Sequence, residues 1–155
     1  MTRIRQLASL ALCTAALAAC TGSTVYSSYE HTPLAGWEKS DFLTFGVGRV
    51  EEPGRYAMDL GLRTGSTYPF VNLTLIVDTH LFPAGSVTTD TLQLQLSDES
   101  GESLGQGINL QQYKFRIREM TLAAGDSLVV NVRHDMKREI LPGISDVGIE
   151  VNAGQ

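Results

Sequence analysis

The sequence predicts an all-β protein: an antiparallel β-sandwich of immunoglobulin-like or jelly-roll type, with seven or eight strands and very little helix. Two observations carry this prediction. Apolar and polar residues alternate over several short segments, and a period of two with one apolar face is typical of half-buried antiparallel strands. Segments rich in Gly, Pro and Asp separate these runs about every dozen residues, as turns do in sandwiches and barrels.

The alternation is clearest in six segments, with a seventh that is shorter: 56–62, 71–77, 92–96, 113–117, 128–132 and 147–151, and 42–45. The turn segments between them are 52–54, 63–66, 83–85, 99–101 and 124–126. Only residues 136–141 have the composition of a helical turn, which Pro142 and Gly143 would end. The expected helix content is therefore very low.

Residues 1–19 read as an export signal. Arg3 and Arg5 give a cationic start, and the apolar run from Leu7 to Leu17 is too short to span a membrane. The segment ends in Leu17-Ala18-Ala19-Cys20, which matches the lipobox of bacterial lipoproteins. We therefore expect cleavage before Cys20 and a lipid anchor on its thiol, with two or more acyl chains to give durable membrane binding.

After the signal, the sequence predicts two parts. Residues 20–28 comprise the lipidated cysteine and a polar tether, and residues 29–155 form a single β-sandwich domain. The other cysteine of the chain, Cys13, lies in the removed segment. The mature domain thus has no disulfide, and packing alone must hold it together.

The charge balance disfavours some partners. Removal of Arg3 and Arg5 reduces the twelve basic residues to ten against seventeen acidic ones, so the formal net charge moves from −5 to −7. Nucleic acids and anionic lipid surfaces require clustered Lys and Arg. We expect neither as a partner of the domain.

The sequence offers no set of residues for catalysis or for a cofactor. His31, His80 and His134 lack the tight spacing of a zinc site, and there is no Gly-x-Ser-x-Gly motif. The acidic run 98–102 could hold calcium, although an ordinary hairpin turn explains it equally well. We expect no catalytic residues, no metal, no cofactor, no small-molecule substrate and no enzymatic activity.

Three stretches resemble a known family: Trp37-Glu38-Lys39-Ser40-Asp41 with Phe42 and Phe45, then 68–73 (YPFVNL), and 141–149 (LPGISDVGI). Together with the lipobox, their order and spacing are similar to the gliding-motility lipoprotein GldH family of Bacteroidetes-type bacteria. The resemblance implies a non-enzymatic lipoprotein of the cell envelope linked to gliding and type 9 secretion. Within 141–149, we expect Asp146 to cap backbone amides at a turn and Gly148 to allow close packing.

Two functions remain open. The first is a protein-interaction or assembly component, for which the loop aromatics Trp37, Tyr68 and Phe70 are candidate partner-binding residues, although a lone tryptophan can also plug a sandwich end. The alternative is a glycan-binding or adhesive domain, which requires Trp37 and at least two tyrosines on one open surface. Because no aspartate or other acidic residue follows Cys20 closely, we expect the outer membrane, facing the periplasm.

Overall fold

The computed structural model describes residues 23–154. The predicted export signal and Cys20 therefore lie outside the described residues. The described chain forms ten strands: β1 (Thr24–His31), β2 (Trp37–Glu38), β3 (Leu43–Val47), β4 (Gly54–Thr64), β5 (Asn72–Phe82), β6 (Ser86–Gln95), β7 (Gln111–Leu122), β8 (Ser127–His134), β9 (Ile140–Leu141) and β10 (Ile144–Ala153).

Eight of the strands form two antiparallel four-stranded sheets, in the orders β1-β10-β4-β7 and β3-β8-β5-β6. Strands that follow each other in the chain mostly alternate between the sheets, as in a jelly roll. An immunoglobulin domain has a different strand order. The predicted β-sandwich is confirmed, and the strand order favours the jelly-roll alternative.

The core lies between the two sheets and follows the predicted alternation. Along β4, Met58, Leu60 and Leu62 point inward and are fully buried, and so do Leu75 and Val77 along β5. Burial of each such side chain contributes about 1.5–3 kcal/mol relative to exposure. Burial of the apolar face that this alternation creates is thus the main contribution to the stability of the sandwich.

The additional strands explain why the count is ten instead of seven or eight. β2 and β9 are two residues each and pair only with each other, Trp37 opposite Leu141. The prediction of a helical turn for residues 136–141 is wrong. Residues 137–139 form a bend before β9, and no residue between 23 and 154 is helical. Leu141 is drawn into the core as part of a strand.

The remaining additional strand is β1, which lies partly in the predicted tether. Residues 24–28 pair with β10 instead of forming a flexible polar linker. Most of β1 is exposed and carries no apolar alternation, so its sequence gives little strand signal. The folded sheet starts at Thr24, and the prediction of a tether through Ser28 needs correction.

The two ends of the sandwich differ in their connections. The end that holds Ser23, here called the N-terminal end, has the short turns 48–53, 83–85 and 123–126. The opposite end, here called the far end, has the longer segments 32–42, 65–71, 96–110 and 135–143. In the part of the chain that the structure describes, no helix has the length and apolar character to cross a membrane.

Candidate functional site

Trp37 lies inside the far end and closes it. Its side chain is fully buried, and its indole Nε1–H donates a hydrogen bond of 3.1 Å to the carbonyl oxygen of Asp41. The indole packs edge-on against the His134 ring, with 5.3 Å between ring centroids. Trp37 is therefore part of the core and offers no surface to a partner, contrary to its candidacy from the sequence.

His134 and Trp37 together close the far end, and we call this pair, with the neighbouring Leu141, the plug. His134 is neutral in it. Its Nε2 lies 3.0 Å from the carbonyl oxygen of Trp37, and its Nδ1 accepts a hydrogen bond from the backbone N–H of Met136. This pattern assigns the proton to Nε2. Burial lowers the pKa of His134 below its ordinary value of 6.5, and the positive charge of Lys39 acts in the same direction.

Tyr68 and Phe70 lie next to each other in the segment between β4 and β5. Their rings pack edge-to-face with 5.8 Å between centroids, and both side chains are half-buried. The hydroxyl of Tyr68 donates to the carbonyl oxygen of Asn72 at 2.8 Å, and burial raises the pKa of Tyr68. The sequence brings these two together, but both also pack on the core.

The far end contains a cleft of about 460 Å³ close to these two aromatics. Its walls come from the loop after β1, the turn after β4, the end of the β6–β7 connection and the start of β10. The lining residues are His31, Thr32, Pro33, Leu34, Gly65, Thr67, Leu110, Gly143, Ile144 and Ser145. This far-end cleft is of the size at which proteins hold small molecules or peptide side chains.

The turn 65–68 and Gly143 form the floor between the cleft and the two aromatics. Gly65 N–H donates to Gly143 O at 2.8 Å, and Gly143 has a positive φ of 82°. A Cβ at Gly143 would lie 2.2 Å from the backbone nitrogen of Tyr68, so only glycine allows this approach. Gly143, within the stretch 141–149, thus contributes to the shape of the cleft.

Apolar side chains form the rim of the far-end cleft and its surroundings. Leu34 and Ile108 are almost fully exposed, at 109% and 97%, and Leu110 is exposed as well. Contiguous exposed apolar side chains mark interaction surfaces; Leu34 and Leu110 line the same cleft, and Ile108 lies two residues before Leu110. These residues were not predicted from the sequence, although Pro33-Leu34 and Gly107-Ile108 place apolar residues in turn segments, where nothing in the fold buries them.

One wall of the far-end cleft carries an acid–imidazole contact. The Asp146 carboxylate is buried, contacts Nδ1 of the exposed His31, and accepts a hydrogen bond of 2.7 Å from the Ser145 hydroxyl. Asp146 therefore does not cap backbone amides as expected. Gly148, by contrast, does allow close packing, because the Tyr29 ring lies directly over it.

The outer face of the β1-β10-β4-β7 sheet is a second polar surface. Asp59 is nearly buried there, and Arg116 Nε donates to its carboxylate at 2.5 Å. Lys114 binds Glu150 at 2.8 Å, which lowers the pKa of Glu150 and raises that of Lys114. Because these charges pair with one another, this face offers few unpaired charged groups to a ligand.

The acidic run 98–102 is an ordinary turn. Oδ1 of Asp98 accepts hydrogen bonds from the backbone N–H groups of Ser100 and Glu102 and from the Ser100 hydroxyl. These bonds, led by that from the hydroxyl, lower the pKa of Asp98. Between residues 23 and 154, no three His, Cys, Asp or Glu side chains are grouped as a metal site.

Comparison with known proteins identifies the family. The model of the GldH lipoprotein family matches residues 24–151. The chain is 28% identical to the gliding motility lipoprotein GldH of Flavobacterium johnsoniae over 157 residues, which covers 96% of this chain and 97% of the relative. It is 26% identical to a GldH homolog of Christiangramia forsetii, over 85% of each chain.

Among solved structures, a family 35 carbohydrate-binding module from Clostridium thermocellum has a TM-score of 0.41 at 13% identity, covering 83% of this chain and 87% of that one. A likeness of this size carries no argument about function. The family match, in contrast, spans β1 to β10 and includes the residues that shape the far-end cleft. The chain belongs to the GldH lipoprotein family.

Proposed function

We propose that this chain is a non-enzymatic envelope lipoprotein that is anchored by lipid on Cys20 and binds another envelope protein of the gliding-motility or type 9 secretion machinery through its far end. The observation that carries the proposal is membership of the GldH lipoprotein family over residues 24–151. The similarity to the gliding motility lipoprotein GldH of Flavobacterium johnsoniae supports the link to motility.

The far end is the surface that best suits a protein partner. It combines the far-end cleft with the exposed Leu34, Ile108 and Leu110, whereas the charges on the outer face of the β1-β10-β4-β7 sheet pair among themselves. Exposed aliphatic anchors beside a cleft supply the desolvated centre that protein interfaces need. Tyr68 and Phe70 stay in this proposal as supports of the cleft, and Trp37 does not.

The experiment is a pull-down from detergent-solubilised envelopes with a tag at Gln155. Three proteins are compared with the native one: Cys20→Ala, the far-end variant Leu34→Asp/Ile108→Asp, and the control variant Val87→Asp/Thr91→Asp. The control residues are exposed on β6, remote from the cleft, so both double variants add two charges to exposed positions.

Recovery of motility or secretion components by the native and control proteins, with loss in the far-end variant, would support the proposal. Equal recovery by both double variants would remove the far end from it. If no such component is recovered by the native protein, the assembly role fails. The glycan-binding alternative is not proposed, because buried Trp37 cannot join tyrosines on an open surface.

Within the envelope, the proposed location is the outer membrane, with the domain in the periplasm. It is supported by the residues after Cys20, Thr21 and Gly22, which include no aspartate for inner-membrane retention and no acidic signal for surface display. Density-gradient separation of the two membranes tests the first part. Protection from protease in intact cells, and cleavage after the outer membrane is permeabilised, tests the second.

A further inference from the structure

The start of β1 limits how far the domain can stand from a membrane. Only Thr21, Gly22 and Ser23 separate Cys20 from Thr24, where pairing with β10 begins. Consecutive Cα atoms are about 3.8 Å apart, so the four links to Thr24 span at most about 15 Å. A lipid on Cys20 therefore holds the N-terminal end of the sandwich within about 15 Å of the anchored cysteine, a distance of about two headgroup layers.

The three turns of the N-terminal end are tied together beside Ser23. Ser23 and Val25 line a cleft of about 440 Å³ with residues 47–52. The turn 48–53 is joined to the turn 123–126 by hydrogen bonds from Val50 N–H to Asp126 O and from Gly125 N–H to Val50 O, both 2.8 Å. Phe82, Pro83 and Ala124 line a second cleft, of about 330 Å³.

The tips of these turns are apolar or small. Phe82 is 45% exposed, and Pro83, Ala84, Ala123 and Ala124 are exposed as well. The turns 82–85 and 123–125 contain no charged residue. Such tips lose little by leaving water, and exposed apolar side chains such as Phe82 are of the kind that surface-bound proteins bury at the boundary between headgroups and acyl chains.

The charged residues nearby argue against attraction to anionic lipid. Arg49 is exposed, but Glu51 and Glu52 follow it in the same turn, and Asp126 lies in the next one. Contact with a membrane at this end must therefore rest on the apolar tips and the covalent lipid, without a charge-driven term.

We propose that the N-terminal end is a membrane-contact surface, in which the tips Phe82–Ala84 and Ala123–Ala124 rest in the interface of the bilayer that carries the lipid anchor. This inference rests on the proposed lipidation of Cys20. The strands then run away from the bilayer, and a strand of eleven residues such as β4 places the far end about 35 Å from it. The domain stands on the membrane instead of moving on a long tether.

The test uses lipidated full-length protein reconstituted into vesicles of neutral phosphatidylethanolamine and phosphatidylcholine. Once the signal is removed and Cys20 acylated, the chain has no other thiol, so an introduced cysteine takes an environment-sensitive dye alone. Proteins with Ala84→Cys or Ala124→Cys report on the tips, and Thr67→Cys, exposed at the far end, is the matched control. Flotation with the vesicles first shows that each protein is anchored.

We expect the dye at 84 and at 124 to shift its emission to shorter wavelength on reconstitution and to be quenched by lipid-borne quenchers, while the dye at 67 does neither. Adding Phe82→Asp should reverse the shift at 124, whereas Leu34→Asp should not. Floating proteins whose dyes at 84 and 124 behave like that at 67 would overturn the contact while leaving the anchor intact. Failure to float would instead refute the lipid anchor itself.

Discussion

The two ends of this jelly roll are built in different ways. At the far end, long segments fold over a plug made by Trp37, His134 and Leu141, and an additional two-stranded sheet holds the plug in place. At the N-terminal end, three short turns close the sheets and leave two open clefts. The far end therefore has a buried interior of its own, whereas the three turns of the N-terminal end bury only Val50.

The far end should tolerate less sequence change than the N-terminal end. A segment that is packed and hydrogen-bonded on all sides resists changes of even one methyl group, whereas an exposed turn tolerates them.

Removal of the plug should have the largest effect. Trp37→Ala leaves a cavity in the core and removes the hydrogen bond to Asp41, so we expect a loss of about 3–5 kcal/mol in the free energy of unfolding. Urea denaturation followed by far-ultraviolet circular dichroism measures it, in the Cys20→Ala background. Trp37→Phe keeps most of the volume and should lose clearly less; an equal loss would mean that the hydrogen bond, and not packing, dominates.

The glycine turns give the second comparison. Gly143 and Gly125 both have positive φ, 82° and 90°, but a Cβ at Gly143 would strike the Tyr68 backbone, while a Cβ at Gly125 would meet nothing within 4 Å. Gly125→Ala should cost only the strain of the left-handed backbone, about 1–2 kcal/mol. Gly143→Ala must also displace the turn 65–68 and should cost more, as a larger fall in the urea midpoint. Equal costs would show that the far-end turns are not tightly packed.

The strands were predictable from the sequence to different degrees, because they differ in the sequence pattern that burial imposes, and the loops of the two ends carry no such pattern. The alternation in β4 and β5 comes from burial between sheets, so it predicted the sandwich. β1 shows no such alternation, because it is mostly exposed and is held as a strand mainly by its hydrogen bonds to β10. Loop residues carry no periodicity at all, so the sequence could single out Trp37, Tyr68 and Phe70 by type but not by burial, and it missed Leu34 and Ile108.

The third prediction concerns pH and the plug. The folded protein holds His134 neutral with a lowered pKa, whereas in the unfolded chain the imidazole takes a proton as the pH falls through about 6.5. Below that pH the unfolded state binds one proton more, so stability falls with falling pH, by at most about 1.4 kcal/mol per pH unit from this group, until the folded pKa is reached.

Urea midpoints at pH 7.5, 6.5 and 5.5 measure this effect above the range in which most carboxylates titrate. His134→Gln should have a flatter profile, because no imidazole is left to titrate at that position. Half-buried His80, which lies on β5 outside the plug, supplies the control: His80→Gln leaves Trp37 and His134 unchanged and should keep the slope that the plug produces. A slope that disappears with His80→Gln and survives His134→Gln would contradict the assignment of the plug as the pH-sensitive element.

The smallest difference in stability is expected between variants of two threonines: Thr24, the first residue of β1, and Thr32, which follows its last residue. Thr32 is buried at the far end, and its hydroxyl donates to Ile144 O at 2.5 Å; Thr24 is exposed at the N-terminal end, and its hydroxyl donates to Asn152 Oδ1 at 2.7 Å. Replacement by valine removes each hydroxyl and keeps the β-branched shape. Thr32→Val should cost about 1 kcal/mol, because Thr32 and Ile144 are both buried and the carbonyl loses its donor there, and Thr24→Val almost nothing, because water replaces the lost donor. Both are read as shifts of the urea midpoint, and equal shifts would mean that water enters the far end more freely than its packing indicates.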